Sequence, residues 1–216
     1  MSVSKTIVIS CAGMGTRLGI GSTKALIDID GKPLIVRQLE LLKDFDDIRI
    51  VVGYQMEKVI AVVNSYRKDI LFVFNHDYRN TGTGGSFSRA IKHAAELVVS
   101  LDGDLLVHPD DLMRVLNSDK ECVCGAIPCT EDPMLMKTLT QNGQIYGVGF
   151  SREEGEYEWT GLAQVKTERL TPGDHHVCDM MVPLLPLPME LIRTKEIDTM
   201  SDYEHAVAWV KSGYAD

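Results

Sequence analysis

Apolar and polar positions alternate along the first half of the chain in two distinguishable rhythms. Thr6–Ser10, Asp47–Val52, Ile70–Phe74 and Val98–Leu101 are short, β-branched or apolar runs. Between them, Pro33–Lys43, Gln55–Ser65 and Ser86–Leu97 repeat their apolar residues at helical spacing; Met56, Val59, Ile60 and Val63 share one side of the second. Short apolar strands separated by amphipathic helices predict βαβ units and a parallel sheet covered on both faces. After about residue 120 the rhythm changes. Glu121–Ile127, Lys137–Thr140, Gln144–Phe150 and Glu158–Lys166 read as strands joined by turns, and Asn142-Gly143 between two of them is a hairpin signal. Asp202–Lys211 closes the chain as a helix. The expected fold is α/β, a Rossmann-like three-layer sandwich with a mostly parallel sheet and a smaller β-rich part. Residues 1–120 would form one half and 121–216 a closing half of one domain.

Composition narrows the functional classes. The 216 residues are 44% hydrophobic and 25% charged, ordinary values for a folded domain. A formal charge of −9 argues against a protein that tracks along DNA or RNA, which needs excess Lys and Arg. A small anionic ligand needs only a local cluster of donors. No apolar run approaches a membrane span, and five dispersed cysteines without a secretory signal suit a reduced cytoplasm.

Three stretches carry candidate chemistry. Ala12-Gly13-Met14-Gly15-Thr16-Arg17 follows the first strand, where ligands bind in open α/β folds, and Lys24 comes seven residues after Arg17. Glycines let backbone N–H groups face phosphate oxygens, but neither the dinucleotide fingerprint nor the Walker pattern is present. Asn80-Thr81-Gly82-Thr83-Gly84-Gly85-Ser86 is a second glycine-rich stretch between a strand and a helix. Asp102-Gly103-Asp104 ends an apolar strand, and paired acids there suit a hard divalent cation. By itself, Glu196–Ala206 reads as a helix N-terminus with Ser201 or Asp202 as cap.

The first stretch continues as Lys24-Ala25-Leu26 and Gly31-Lys32-Pro33-Leu34. These three linked motifs resemble the sugar-nucleotide and phosphocholine nucleotidyltransferase superfamily. The resemblance implies transfer of a nucleoside monophosphate from an NTP, CTP or another, to a small phosphomonoester. Residues 12–17 would wrap the triphosphate, with Arg17 at its β/γ end and Lys24 at the α-phosphate. Asn80, Thr83, Gly84, Gly85 and Ser86 would lie against the base, and Asp102 near the ribose. Asp104 and Asp198 would hold Mg²⁺, with Asp202 capping the final helix. Tyr157, Trp159, Thr160 and Gly161 would line the acceptor pocket, the two aromatics either caging a quaternary ammonium, stacking on a sugar or packing in the core. Asp179, as an acceptor-side or metal-side carboxylate, is a weaker rival to Asp198; residues 1–120 would then be the nucleotide-binding half and 121–216 the acceptor-binding and closing half. Partners would be the NTP and its acceptor, with neither nucleic acid nor membrane; homodimerisation is compatible with this reading. Asp174–Asp179 has a metal-like composition, but no second ligand pair supports zinc. A metal-dependent glycosyltransferase and a non-catalytic nucleotide-binding regulator are the alternatives.

Overall fold

A computed structural model of the chain describes residues 3–15 and 21–215. Its elements in order are β1 (Lys5–Cys11), β2 (Asp28–Ile29), β3 (Lys32–Pro33), α1 (Leu34–Leu41), β4 (Ile48–Val52), α2 (Met56–Tyr66), β5 (Leu71–Phe74), α3 (Thr83–Ala90), β6 (Leu97–Asp102), β7 (Leu105–Val107), α4 (Pro109–Leu116), β8 (Cys122–Ala126), β9 (Leu135–Gln141), β10 (Gln144–Ser151), β11 (Tyr157–Lys166), α5 (Val177–Met181), β12 (Leu187–Leu191), β13 (Thr194–Glu196) and α6 (Met200–Lys211).

Nine strands form one sheet in the order β5-β4-β1-β6-β11-β8-β12-β10-β9. β5, β4, β1, β6, β8, β12 and β9 run one way; only β11 and β10 oppose them. The mostly parallel α/β sheet read from the sequence is therefore present, and strands from both halves of the chain join it. Alternation along β1 shows why it needs two covers. Ile7, Ile9 and Cys11 pack in one core with residues of α1, α2 and α4, while Val8 shares the opposite core with Phe87 and Ala90 of α3 and with α5. Successive strand residues point to opposite faces, so a strand buried throughout requires apolar layers on both. A third cluster joins α6 to Ile27, Ile29, Leu34, Leu106 and Ile197.

The Asn142-Gly143 hairpin forms as expected, with φ of 51° and 77° at its two central residues, the combination a type I′ turn requires. One helix departs from its expected bounds. Apolar spacing predicts Ser86–Leu97, but α3 begins three residues earlier and stops at Ala90. Arg49, buried on β4, donates to the carbonyls of Ala90, Lys92 and His93, and its Nε and Nη2 also bind Asp47. A guanidinium collecting the terminal carbonyls ends the helix and leaves Leu97 to begin β6. Helix α4 adds to the elements expected from the sequence; it starts where His108 accepts the amide of Asp110 and Pro109 stands at the first helical position.

Candidate active site

The carboxyl ends of β1 and β6 lie side by side, with Ser10 paired to Asp102. The chain leaves them through Ala12–Gly15 and through Gly103–Asp104, which face one cleft of about 620 Å³. Gly103 donates its amide to the Ser10 carbonyl at 3.0 Å, joining the two turns. Gln38, buried on α1, donates to the carbonyls of both Asp102 and Leu105 at 2.8 Å and brackets the acidic turn.

A small antiparallel ribbon brings the C-terminal acids here. β7 follows Asp104 directly and pairs with β13, whose last residue, Glu196, sits opposite Leu105. Ile197 then donates its amide to the Asp104 carbonyl. Asp198 follows, held in place as Asp202 accepts the amides of Asp198 and Thr199. The N-cap of α6 is thus Thr199, with Asp202 closing a capping box from the third helical position; neither Ser201 nor Asp202 is the cap itself.

Asp104, Glu196 and Asp198 each offer an oxygen within 4.8 Å of the others. Lys24 enters between them from a single 3₁₀ turn, Lys24–Leu26. Its ammonium lies 2.8 Å from Asp104 and bonds Asp198 as well. Burial opposes the Lys24 charge, but Asp104 and Asp198 outweigh it and hold the group above its ordinary range. Burial, reinforced by Asp104 and Asp198, pushes Glu196 up to about 8. Burial and the Asp104 charge likewise push Asp102 up to about 7. Acids so crowded favour a cation among them, and an all-oxygen donor set suits a hard divalent ion. Glu196 was overlooked in the sequence because it lies two residues before the motif aspartate, at the end of a strand that local pattern did not reveal.

The cleft gathers Ala12, Gly13, Gly15, Lys24, Thr83, Ser86, Asp102, Asp104, Trp159, Thr160, Gly161 and Asp198 from the expected set. Thr16 and Arg17 lie outside the described residues. Met14, Asn80, Gly84, Gly85, Tyr157 and Asp179 are not on its wall. Asn80 donates to Asp77 at the surface, and Gly84 and Gly85 are buried under the Asp174–His176 segment. Tyr157 packs against the second core. The Asp179 carboxylate accepts the His176 amide at 2.9 Å, which spends it on the start of α5. His176 itself lines the cleft, as does Glu158. Buried Glu158 accepts the amides of Cys129 and Thr130 and the Thr130 hydroxyl, which fixes the lip of the cleft carrying Thr130, Asp132 and Met134. A glutamate in an alternating strand gave no sequence signal for that task.

Gly161 marks an irregularity in the β11–β8 pairing, where the chain turns toward the cleft. Its φ is +77°, and a Cβ there would lie 2.1 Å from the Asp102 carboxylate. Gly161→Ala should therefore destabilise the fold by roughly 2–4 kcal/mol, a drop of about 5–15 °C in thermal melting. An unchanged melting temperature would show that β11 can shift without cost.

A family model described as the MobA-like NTP transferase domain matches residues 7–167. The chain belongs to this family. The bifunctional protein GlmU of Aliarcobacter butzleri (strain RM4018) is 38% identical over 155 residues, which are 71% of this chain and 36% of GlmU. The chain thus spans about a third of that curated relative. Among solved structures, the CTP:phosphocholine cytidylyltransferase LicC of Streptococcus pneumoniae superposes with a TM-score of 0.71 at 18% identity, covering 96% of this chain and 100% of LicC. HddC from Yersinia pseudotuberculosis gives 0.69 at 19% identity, covering 96% of this chain and 99% of HddC. These two share the fold of this chain. No helix among the described residues is long and apolar enough to cross a membrane.

Proposed function

We propose that the chain transfers a nucleoside monophosphate from an NTP to a small phosphomonoester and releases pyrophosphate. The observation that carries this reading is the meeting of Lys24 with Asp104, Glu196 and Asp198 under the first glycine-rich loop, in a chain of the NTP transferase family. Asp104 and Asp198, with Glu196 beside them, would hold Mg²⁺, which when bound neutralises phosphate charge during transfer.

The protein's own groups do the remaining work. Ala12, Gly13 and Gly15 line the cleft, where their backbone amides would meet the triphosphate. Lys24, already poised between carboxylates, turns its ammonium to the α-phosphate, where charge develops. An acceptor phosphate oxygen then forms a bond to the α-phosphorus in line with the departing pyrophosphate, whose bond breaks. A phosphate dianion is already nucleophilic, so no general base or covalent enzyme intermediate is required. Trp159, Thr160 and Gly161, with the lip held by Glu158, form the acceptor end of the cleft. The acceptor set includes sugar 1-phosphates and phosphocholine-type molecules.

The test is pyrophosphate release from CTP, GTP, UTP or ATP mixed with choline phosphate, aminoethyl phosphonate or hexose 1-phosphates, with and without Mg²⁺. We expect release that needs both the acceptor and the metal. Hydrolysis of a nucleotide sugar in place of NTP turnover would favour a glycosyltransferase instead. NTP binding without turnover on any acceptor would favour a regulator.

A further inference from the structure

The wall of the cleft formed by the second glycine-rich loop has a fixed hydrogen-bond polarity, set by a residue outside the cleft lining. Asn75 is fully buried behind it. Its side-chain oxygen accepts the Asp77 amide at 3.1 Å, so its NH₂ must face the loop. There it donates to the hydroxyl oxygens of Thr81 and Ser86, each at 3.0 Å. Thr81 passes its own proton to the Asp77 carbonyl. Ser86 is only 5% exposed and lines the cleft, and no protein acceptor among the described residues takes its proton. The Ser86 oxygen keeps a second lone pair, but among the described residues its one proton finds no acceptor, so a base that donates to it leaves a buried proton unpaired while a base that accepts from it does not.

Thr83 behaves alike. Its oxygen accepts the Val177 amide at 3.1 Å, and its proton has no protein acceptor among the described residues. Thr83 and Ser86 stand three positions apart at the start of α3, on one face of the helix. The backbone amides of Gly82 and Gly84, which would otherwise be further donors, are taken by the carbonyls of Asp174 and His175 at 2.8 and 2.9 Å. The wall therefore presents the Ser86 and Thr83 hydroxyl protons side by side, with the Thr83 amide, which has no protein acceptor among the described residues, as a further donor.

We propose that Asn75 is a positioning residue that makes Ser86, together with Thr83, donate into the cleft, so that the NTP taken carries two neighbouring acceptors on its base. Cytosine offers O2 beside N3, and guanine offers O6 beside N7. Uracil and thymine place an N3–H between their carbonyls, and adenine sets its amino group beside each ring-nitrogen acceptor on that edge. The inference rests on the reading of the cleft as an NTP site and refines which NTP enters it.

The test is titration calorimetry of the full chain with Mg²⁺ and CTP, GTP, UTP or ATP, without acceptor. CTP or GTP should bind about tenfold or more tightly than UTP and ATP, and the comparison of those two names the base. Ser86→Ala should weaken the preferred NTP about tenfold while leaving the poorer NTPs and the melting temperature nearly unchanged. Asn75→Asp keeps the shape but accepts the Ser86 proton, so it should erase the same preference; combined with Ser86→Ala it should weaken binding no further. Should Asn75→Asp fail to fold, Thr83→Val removes the neighbouring donor at constant shape and should also narrow the preference. UTP or ATP binding most tightly, or a base preference that survives Ser86→Ala, overturns the proposal. If UTP is preferred while turnover still depends on Lys24, the inference falls and the transferase reading stands; if no NTP binds, both fall.

Discussion

Lys24→Ala should lower kcat by about 100- to 1000-fold, the usual cost of removing one preorganised donor from developing charge. The ammonium contacts both Asp104 and Asp198, and it reaches the cleft from a short 3₁₀ turn whose Ala25 is buried. A second effect follows from the same contacts. Without the lysine, Asp104, Glu196 and Asp198 face one another with less compensating charge, so the metal-free variant should melt at a lower temperature than the wild type. Mg²⁺ should restore more stability to the variant than it adds to the wild type, because it replaces the missing positive charge. Single-turnover kinetics and melting curves with and without Mg²⁺ measure the two effects separately. Wild-type kcat in the variant would remove Lys24 from the chemistry, whatever its effect on stability.

Asp104→Asn and Asp198→Asn should each cost at least about 1000-fold in kcat at ordinary Mg²⁺. Each keeps an oxygen of similar size in place while removing a charge from the three-acid cluster. The Mg²⁺ concentration for half-maximal activity should rise by about tenfold or more, and calorimetric Mg²⁺ binding should weaken in parallel. Glu190→Gln, on β12 and outside the cleft, should leave both measurements unchanged and serves as the control for charge loss elsewhere. If both aspartate variants bind Mg²⁺ as the wild type does, the cluster is not where the ion sits. Asp202→Ala should behave differently: its carboxylate holds the start of α6, so stability would fall before metal affinity does.

The elements were legible because their causes are local. Alternation in β1 and the helical stripe of Met56, Val59, Ile60 and Val63 record which faces are buried, and the Asn142-Gly143 turn records its own φ angles. The misjudged end of α3 shows the limit of that approach. Ser86–Leu97 carries enough apolar residues to continue as a helix, but Arg49, some forty positions earlier, takes its carbonyls. Asp179 shows the same limit in the site. Its composition, amid two histidines and a cysteine, suggested a ligand, but its carboxylate is committed to the His176 amide.

The sequence by itself determined the alternation of strands and helices, the two glycine-rich loops at strand ends and the acidic turn at Asp102-Gly103-Asp104, whereas the roles of Lys24 and Asp198 came only with the family resemblance. Periodicity and turn chemistry are properties of neighbouring residues, so they survive without coordinates. Only the tertiary structure decided that Glu196 joins the acids, that Glu158 holds the lip and that Asn75 orients the Ser86 hydroxyl. Those facts depend on the pairing of β7 with β13 and on which loops meet at one edge of the sheet. A side chain's partner is chosen by packing across the fold, and residues about ninety positions apart can become neighbours without any trace in either local pattern.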